Sequence, residues 1–301
     1  MGANHHHHHH HHHHELPSSG KRLLAAILMN IAITVIQVVG GLISGSSALL
    51  ADAFHNFSDV MALVLSWMAN IFSNKKTTSN SKYGYKRAEI LAAFINSATL
   101  IIIALYLISE AFEKFYNPVP INGTYLIVLG TASVVLNALS MWIITPGTEN
   151  SLNMKSAYLH LLSDMVTSLG VVVGGLCMIY FKITWIDSAL TLAIAVYLIF
   201  SSFKLLRRTV RILMQLTPED LDIEVLKNEI EKNDLVNNIH DIHVWEIKDN
   251  QNILQAHVNI SENIEQIKVS QLKKKIKKDL KEKFNVQYAT LEMEFGSEIC
   301  I

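Results

Sequence analysis

Six long runs dominated by apolar residues lie at about 22–44, 47–72, 88–112, 122–145, 155–181 and 187–206. Each is long enough for the roughly 20 residues a helix needs to cross the hydrocarbon of a bilayer. The connection at Gly45-Ser46 is very short, so the first two runs predict a tight antiparallel hairpin. Pro118 and Pro120 break the chain before the fourth run, and Pro146-Gly147 ends it. Beyond the last run the pattern shortens. Thr217-Pro218-Glu219-Asp220 reads as a helix start, with Leu221, Val225 and Ile230 on one apolar face over about 218–233. Alternating runs at about 239–248 and 253–260 predict strands with Asp249-Asn250 in the turn. A lysine-rich amphipathic helix follows near 264–284, and a last strand spans about 286–295. The order αββαβ predicts a small α+β domain of ferredoxin-like type. Three segments result: residues 1–20, a six-helix transmembrane domain over 21–211, and a soluble domain over 212–301.

Charge separates the two folded segments. Residues 16–216 hold 14 Lys and Arg against 8 Asp and Glu, whereas the shorter 217–301 holds 11 against 17. The net charge of −1 is therefore an average of two unlike parts and points to no nucleic-acid partner. The run Lys273–Lys278 is interrupted by Ile276 and followed by Leu280, which reads as the solvated face of a helix. Around the six runs, twelve basic residues fall on one side (Lys21, Arg22, Lys75, Lys76, Lys82, Lys86, Arg87, Lys155, Lys204, Arg207, Arg208, Arg211). Only Lys114 and Lys182 fall on the other. That asymmetry predicts cytoplasmic termini and a cytoplasmic C-terminal domain. Cys177 and Cys300 are too few for a disulfide framework or a four-cysteine metal module. Ten of the fifteen histidines form His5–His14, which reads as a purification tag. The others are His55, His160, His240, His243 and His257.

Two of these lie where polar groups are costly. The second run contains His55-Asn56-Phe57-Ser58-Asp59 and the fifth contains His160-Leu161-Leu162-Ser163-Asp164. Positions i and i+4 share a helix face, so each helix presents one imidazole and one carboxylate to a neighbour. Two such helices supply two nitrogens and two oxygens, a donor set that suits tetrahedral zinc, with Co(II) and Cd(II) as further guests. Magnesium and calcium prefer all-oxygen shells, and Cu(I) prefers thiolate or thioether. No Lys or Arg lies within either apolar core to neutralise the aspartates, so they require a cation or a proton. Asp52, three residues before His55, is a candidate partner for that imidazole, or part of an ion path. Asn30, Gln37, Asn96 and Asn137 either line a wet cavity or bond between helices.

The paired motifs, the GSSALLADAFHNFSD stretch, the GYKRAEILAAF entry to the third run and the later HDIHVW segment resemble the cation diffusion facilitator family. Within it, the chain is similar to the zinc-transporting branch that includes bacterial cobalt–zinc–cadmium efflux proteins. The resemblance covers about residues 20–296. It implies six membrane helices, a cytosolic αββαβ domain, a homodimer, and a bacterial inner (plasma) membrane location. It implies a transport site at His55, Asp59, His160 and Asp164, and a cytosolic zinc site at His240, His257 and Glu294. Glu292 shares a strand face with Glu294, and His243 is either a further cytosolic ligand or structural. His243 and His257 are expected at nearly opposite places on the predicted hairpin. Two departures stand out. The loop SNKKTTSNSKYGYKR lacks the ligands some relatives carry there, and Gln287 stands where many have a histidine.

Metal binding needs neutral imidazole and ionised carboxylate, so metal and proton compete for the same four side chains. The expected function is zinc efflux from the cytoplasm by metal/proton antiport, with zinc also a regulatory ligand of the cytosolic domain. The rival readings are a zinc-responsive membrane sensor and a membrane metalloenzyme. The latter lacks H-E-x-x-H and the open coordination position that catalysis needs.

Overall fold

A computed structural model describes residues 18–73, 86–145, 152–248, 251–261 and 265–296. The Pro146-Gly147 stop, the Asp249-Asn250 turn and the 74–85 part of the loop after the second run lie outside these residues. The helices are α1 Ser18–Ser44, α2 Ser47–Ser73, α3 Lys86–Tyr116, α4 Gly123–Ile144, α5 Leu152–Phe181 and α6 Ile186–Leu213. They are followed by α7 Ile223–Glu231, β1 Val236–Lys248, β2 Gln251–Ile260, α8 Gln266–Phe284 and β3 Val286–Phe295. Among the described residues, five helices have segments long and apolar enough to cross a membrane. They are Ile27–Ser44, Lys86–Tyr116, Gly123–Ile144, Tyr158–Phe181 and Ile186–Leu213. These five belong to a helical membrane domain, and α2 is 27 residues long.

The chain divides into two compact units, one comprising residues up to Val60 and Ala104–Tyr197, the other Met61–Ile103 and Leu198–Ile301. In the first, α4 packs against both α1 and α5. Side chains in lipid gain nothing from leaving an apolar solvent, so close backbone approach and polar bonds hold such helices together. A Cβ on Gly130 would come within 2.8 Å of Val172 Cγ2, and one on Gly175 within 3.3 Å of the Gly123 carbonyl oxygen. Outward faces carry large apolar groups such as Leu42, Trp142, Tyr180 and Phe200, as lipid contact requires.

The α1–α2 hairpin turns at Gly45, whose φ of +71° is available to glycine without strain. Ser46 Oγ accepts from the Leu49 amide at 3.1 Å, the usual N-cap bond. Asp187 of α6 completes that cap: its Oδ1 accepts from Ser46 Oγ at 2.5 Å and its Oδ2 from the Ser47 amide at 3.1 Å. A carboxylate at a helix start also complements the helix dipole. Lys114 of α3 donates to the Gly45 carbonyl at 2.9 Å and pairs with Glu110 at 2.8 Å.

In the second unit, β1 and β2 pair antiparallel and β2 and β3 parallel, in the order β1-β2-β3. The parallel pair needs a crossover, which α8 supplies. Leu226 and Ile230 of α7 and Leu272, Ile276 and Leu280 of α8 join the sheet in one core, leaving Lys274, Lys275, Lys277 and Lys278 exposed. This is the small α+β domain expected, with three differences: β1 starts at Val236 and not near 239, Leu226 rather than the exposed Val225 joins Ile230 in the core, and the first helix starts later. The helix after the membrane domain begins at Ile223, not at Pro218. The Leu221 amide turns back to the Pro218 carbonyl at 3.4 Å, and Glu219 pairs with Arg211 at 3.2 Å and Arg207 at 3.5 Å. Those contacts hold 217–221 out of the helix, and Asp222 caps it instead, accepting from Glu224 and Val225 amides.

Candidate metal centre

The i,i+4 pairs of α2 and α5 meet inside the first unit. His55 Nε2 lies 3.7 Å from Asp59 Oδ2 and 3.4 Å from Asp164 Oδ1. His160 Nε2 lies 3.4 Å from Asp59 Oδ2 and 3.5 Å from Asp164 Oδ2. The two imidazoles sit edge to face with centroids 6.1 Å apart. A tetrahedral ion with bonds of about 2.0–2.1 Å has ligand–ligand edges of about 3.3–3.4 Å, and an octahedral ion with such bonds has edges of about 2.8–3.0 Å. The His–Asp gaps of 3.4–3.7 Å lie nearer the tetrahedral edge than the octahedral one; His55, Asp59 and Asp164 offer atoms that all lie within 4.8 Å of one another, and His160 approaches the two carboxylates from outside that set. Asp59 Oδ2 and both Asp164 oxygens accept no hydrogen bond among the described residues. Buried acceptors left in that state need a counter-charge. The side chain of Tyr197 packs edge-on against His55 at 5.5 Å.

Asp52 is fully buried and makes no hydrogen bond to His55 among the described residues. Its Oδ2 accepts from Gln37 Nε2 of α1 at 2.5 Å and from Ser168 Oγ of α5 at 2.9 Å. Gln37 Oε1 in turn accepts from Asn56 Nδ2 at 2.7 Å. Gln37 is thus an interhelical bonder. Ser168 and Asn56, not singled out in the sequence, are the residues that complete the cluster; Ser168 carries a signal, sitting four positions after Asp164. Asn137 is buried, and neither of its amide atoms has a hydrogen-bond partner among the described residues.

A second cluster forms on the sheet. His240 and His257 are register partners on β1 and β2, with ring centroids 5.5 Å apart. Glu294 of β3 is buried and reaches both, its Oε2 3.2 Å from His240 Nε2 and its Oε1 2.6 Å from His257 Nδ1. The bond to Glu294 raises the His257 pKa above its ordinary value, against a smaller opposing effect of burial. Glu292 Oε2 lies 3.7 Å from His257 Nε2.

His243 is not opposite His257. It pairs with Gln255, because the ladder slips between His240 and His243. Asp241 occupies that slip with φ of +49°. Its carboxylate lies 2.9 Å from His243 Nε2 and 3.7 Å from His257 Nε2. Asp241 is therefore a polar member of this cluster that sequence pattern did not single out; only its place between two histidines hinted at it. His243 stands on the exposed rim. Gln287 bonds to Asn285 at 3.2 Å.

A helical membrane domain with a buried His/Asp cluster, joined to a small α+β domain with another, defines an integral membrane protein built to handle cations. The sequence matches the cation efflux transmembrane domain over residues 23–214 and the cation efflux protein cytoplasmic domain over 218–295. The chain belongs to the cation efflux family, whose members are transporters and not enzymes. It is 35% identical to a cadmium, cobalt and zinc/H(+)-K(+) antiporter of Bacillus subtilis (strain 168), over 91% of this chain and 88% of the relative. It is 32% identical to the zinc transporter ZitB of Pectobacterium atrosepticum, over 92% and 86%. It is 30% identical to the metal cation efflux system protein CzcD of Cupriavidus metallidurans, over 98% and 91%.

Proposed function

We propose that this protein is a homodimeric zinc/proton antiporter that exports zinc from the cytoplasm, with Cd(II) and Co(II) as alternative cargo. The observation that carries the reading is the convergence of His55, Asp59, His160 and Asp164 inside the membrane domain, each imidazole within 3.7 Å of both carboxylates. The relatives named for zinc, cadmium and cobalt support the cargo, and the antiporter name of the Bacillus protein supports the counter-ion. The α2 helix is the sixth span. The twelve-to-two distribution of basic residues supports termini and an α+β domain on the cytoplasmic side, and the bacterial relatives support an inner-membrane location.

At the cytoplasmic face, neutral imidazoles and ionised carboxylates bind the cation. Rearrangement of the helices exposes the site to the other side, and protons displace the ion there, because protonated imidazole cannot bind metal. His240, His257 and Glu294 bind zinc as a regulatory ligand, and the cytoplasmic domain contributes to the dimer. Purified protein in liposomes, given a panel of divalent metals under a pH gradient, tests the reading. Zinc uptake that the gradient accelerates is expected; absence of uptake for every metal overturns it.

A further inference from the structure

The helices α2 and α5 contact each other through a ladder of polar pairs. Asp59 meets His160 at 3.4 Å, His55 meets Asp164 at 3.4 Å, and Asp52 meets Ser168 at 2.9 Å. Along α2 the rungs are spaced by four and three residues, and along α5 by four, so each step is about one helical turn or about 5–6 Å. The first two rungs are the four metal-site residues. The third, at the Gly45 end, belongs to no site yet described.

Burial changes along the ladder. The side chains of Asp59 and His160 are 26% and 39% exposed, whereas Asp164 is fully buried. Asp52, Gln37, Asn56 and Ser168 are fully buried as well. The metal site is thus open on the rung of Asp59 and His160 and shut on the rung of Asp52. What shuts it is hydrophilic: a carboxylate, two amides and a hydroxyl drawn from α1, α2 and α5. Apolar packing would close a membrane bundle without the desolvation cost of these groups. Two acceptors in the cluster, Asp52 Oδ1 and Asn56 Oδ1, have no donor among the described residues.

We infer that Asp52 is a second, weaker stop for the transported divalent cation, and that its bonds to Gln37 and Ser168 form the gate the cation opens on leaving. The inference rests on the export reading, which places the Gly45 end away from the cytoplasm. The cation enters over Asp59 and His160, binds the four-residue ring, and passes one turn along α2 to Asp52. The unbonded oxygens of Asp52 and Asn56 supply ligands there. An oxygen and amide set without imidazole holds zinc less firmly than the ring, as a release station must. A cation on Oδ1 draws negative charge away from Oδ2, the oxygen that Gln37 and Ser168 hold, and so weakens both bonds; arrival of the ion thereby favours parting of the three helices.

The full-length protein in detergent and in liposomes, with zinc as the probe, tests this. Asp52→Asn should bind zinc within about threefold of wild type yet turn over at least tenfold more slowly at saturating zinc, and Asp52→Glu should recover part of that loss. Protons moved per zinc should not change. Equal turnover in Asp52→Asn overturns the inference. So does a parallel loss of affinity, which would make Asp52 a support of the ring, or a fall in protons per zinc, which would make it a proton carrier. Ser168→Ala keeps the carboxylate and loosens the gate. It should change turnover at least threefold with affinity intact, and an unchanged turnover there also counts against the gate. A wild-type protein that binds zinc but moves none refutes the export reading itself, whatever Asp52 does.

Discussion

Glu294 reaches His257 diagonally across the β2–β3 ladder: its own register partner is Asn259, yet its Oε1 stands 2.6 Å from His257 Nδ1. The carboxylate thereby favours the imidazolium in the metal-free domain and raises the His257 pKa. The stabilisation from this pair is complete below the unfolded histidine value near about 6.5 and is lost as pH rises through the higher folded value. The zinc binding proposed here would follow the opposite sign, because it needs the neutral ring.

For this cytoplasmic cluster, proton NMR of His257 should give a pKa above the ordinary value, and Glu294→Gln should return it toward that value. In an Asp164→Ala background, which removes the membrane site, zinc titration of the full chain should show affinity falling as pH drops through the His257 titration. Affinity independent of pH would separate His257 from the metal.

Ligand removal is the sharpest test of the membrane ring. Asp164→Ala or Asp59→Ala takes away one of four donors and one carboxylate. Since partners behind a ligand cost about 10–100-fold when lost, a ligand itself should cost more than about 100-fold in zinc affinity. Transport should vanish while helicity by circular dichroism and elution in detergent stay as in wild type. Wild-type transport in either variant would dismiss the ring.

Selectivity should follow ligand type. His55→Asp replaces a fixed nitrogen by a carboxylate that binds through one oxygen or two, and the looser shell should admit a larger ion. Competition assays in liposomes should show cadmium gaining on zinc. An unchanged ratio means His55 does not touch the ion.

Proton coupling has a definite direction. Acid protonates imidazole and weakens metal binding, so zinc affinity should fall as pH drops through the histidine range near about 6.5. Zinc entering a vesicle should alkalinise its lumen, and zinc leaving should acidify it. His160→Ala should lower both zinc affinity and its pH dependence. A trapped pH dye that stays silent while zinc crosses would indicate uniport.

Asp222→Ala removes the side chain that caps α7. It should lower the stability of the cytoplasmic domain by about 1 kcal/mol, read as a shift in its thermal midpoint, with zinc transport by the membrane domain retained. A midpoint equal to wild type would mean that water replaces the cap.

The ring residues were legible because a helix converts four-residue spacing into one face, and because aspartates inside an apolar run demand a partner. The start of β3 at Val286 was legible too: Asn285 sits in the left-handed region with φ of +55° and ends α8. The α7 boundary was not: Thr217-Pro218 reads as the start, yet Asp222 caps the helix, because Glu219 reaches back to Arg207 and Arg211 of α6. The pairing of His257 with His240 was hidden for a similar reason. A slip in the ladder at Asp241 leaves no mark on alternation, which fixes which face a residue takes but not its opposite number. The link from Asp52 to Gln37 and Ser168 spans 15 and 116 residues of sequence, beyond the reach of any local pattern.

The buried carboxylates of α2 and α5 also bear on leakage. No lysine or arginine lies between Gly45 and Phe72 or between Ser156 and Phe181, so the bare ring carries two negative charges that nothing in those helices cancels. Sealing ionised groups away from water on both sides costs several kcal/mol for each. A penalty of about 4 kcal/mol slows a step roughly a thousandfold. In the exchange proposed above, metal or protons lift that penalty, so the carrier changes sides when loaded and idles when empty. Two aspartates would thus tie each return trip to a bound proton, and a metal gradient alone could not run down through an unburdened one.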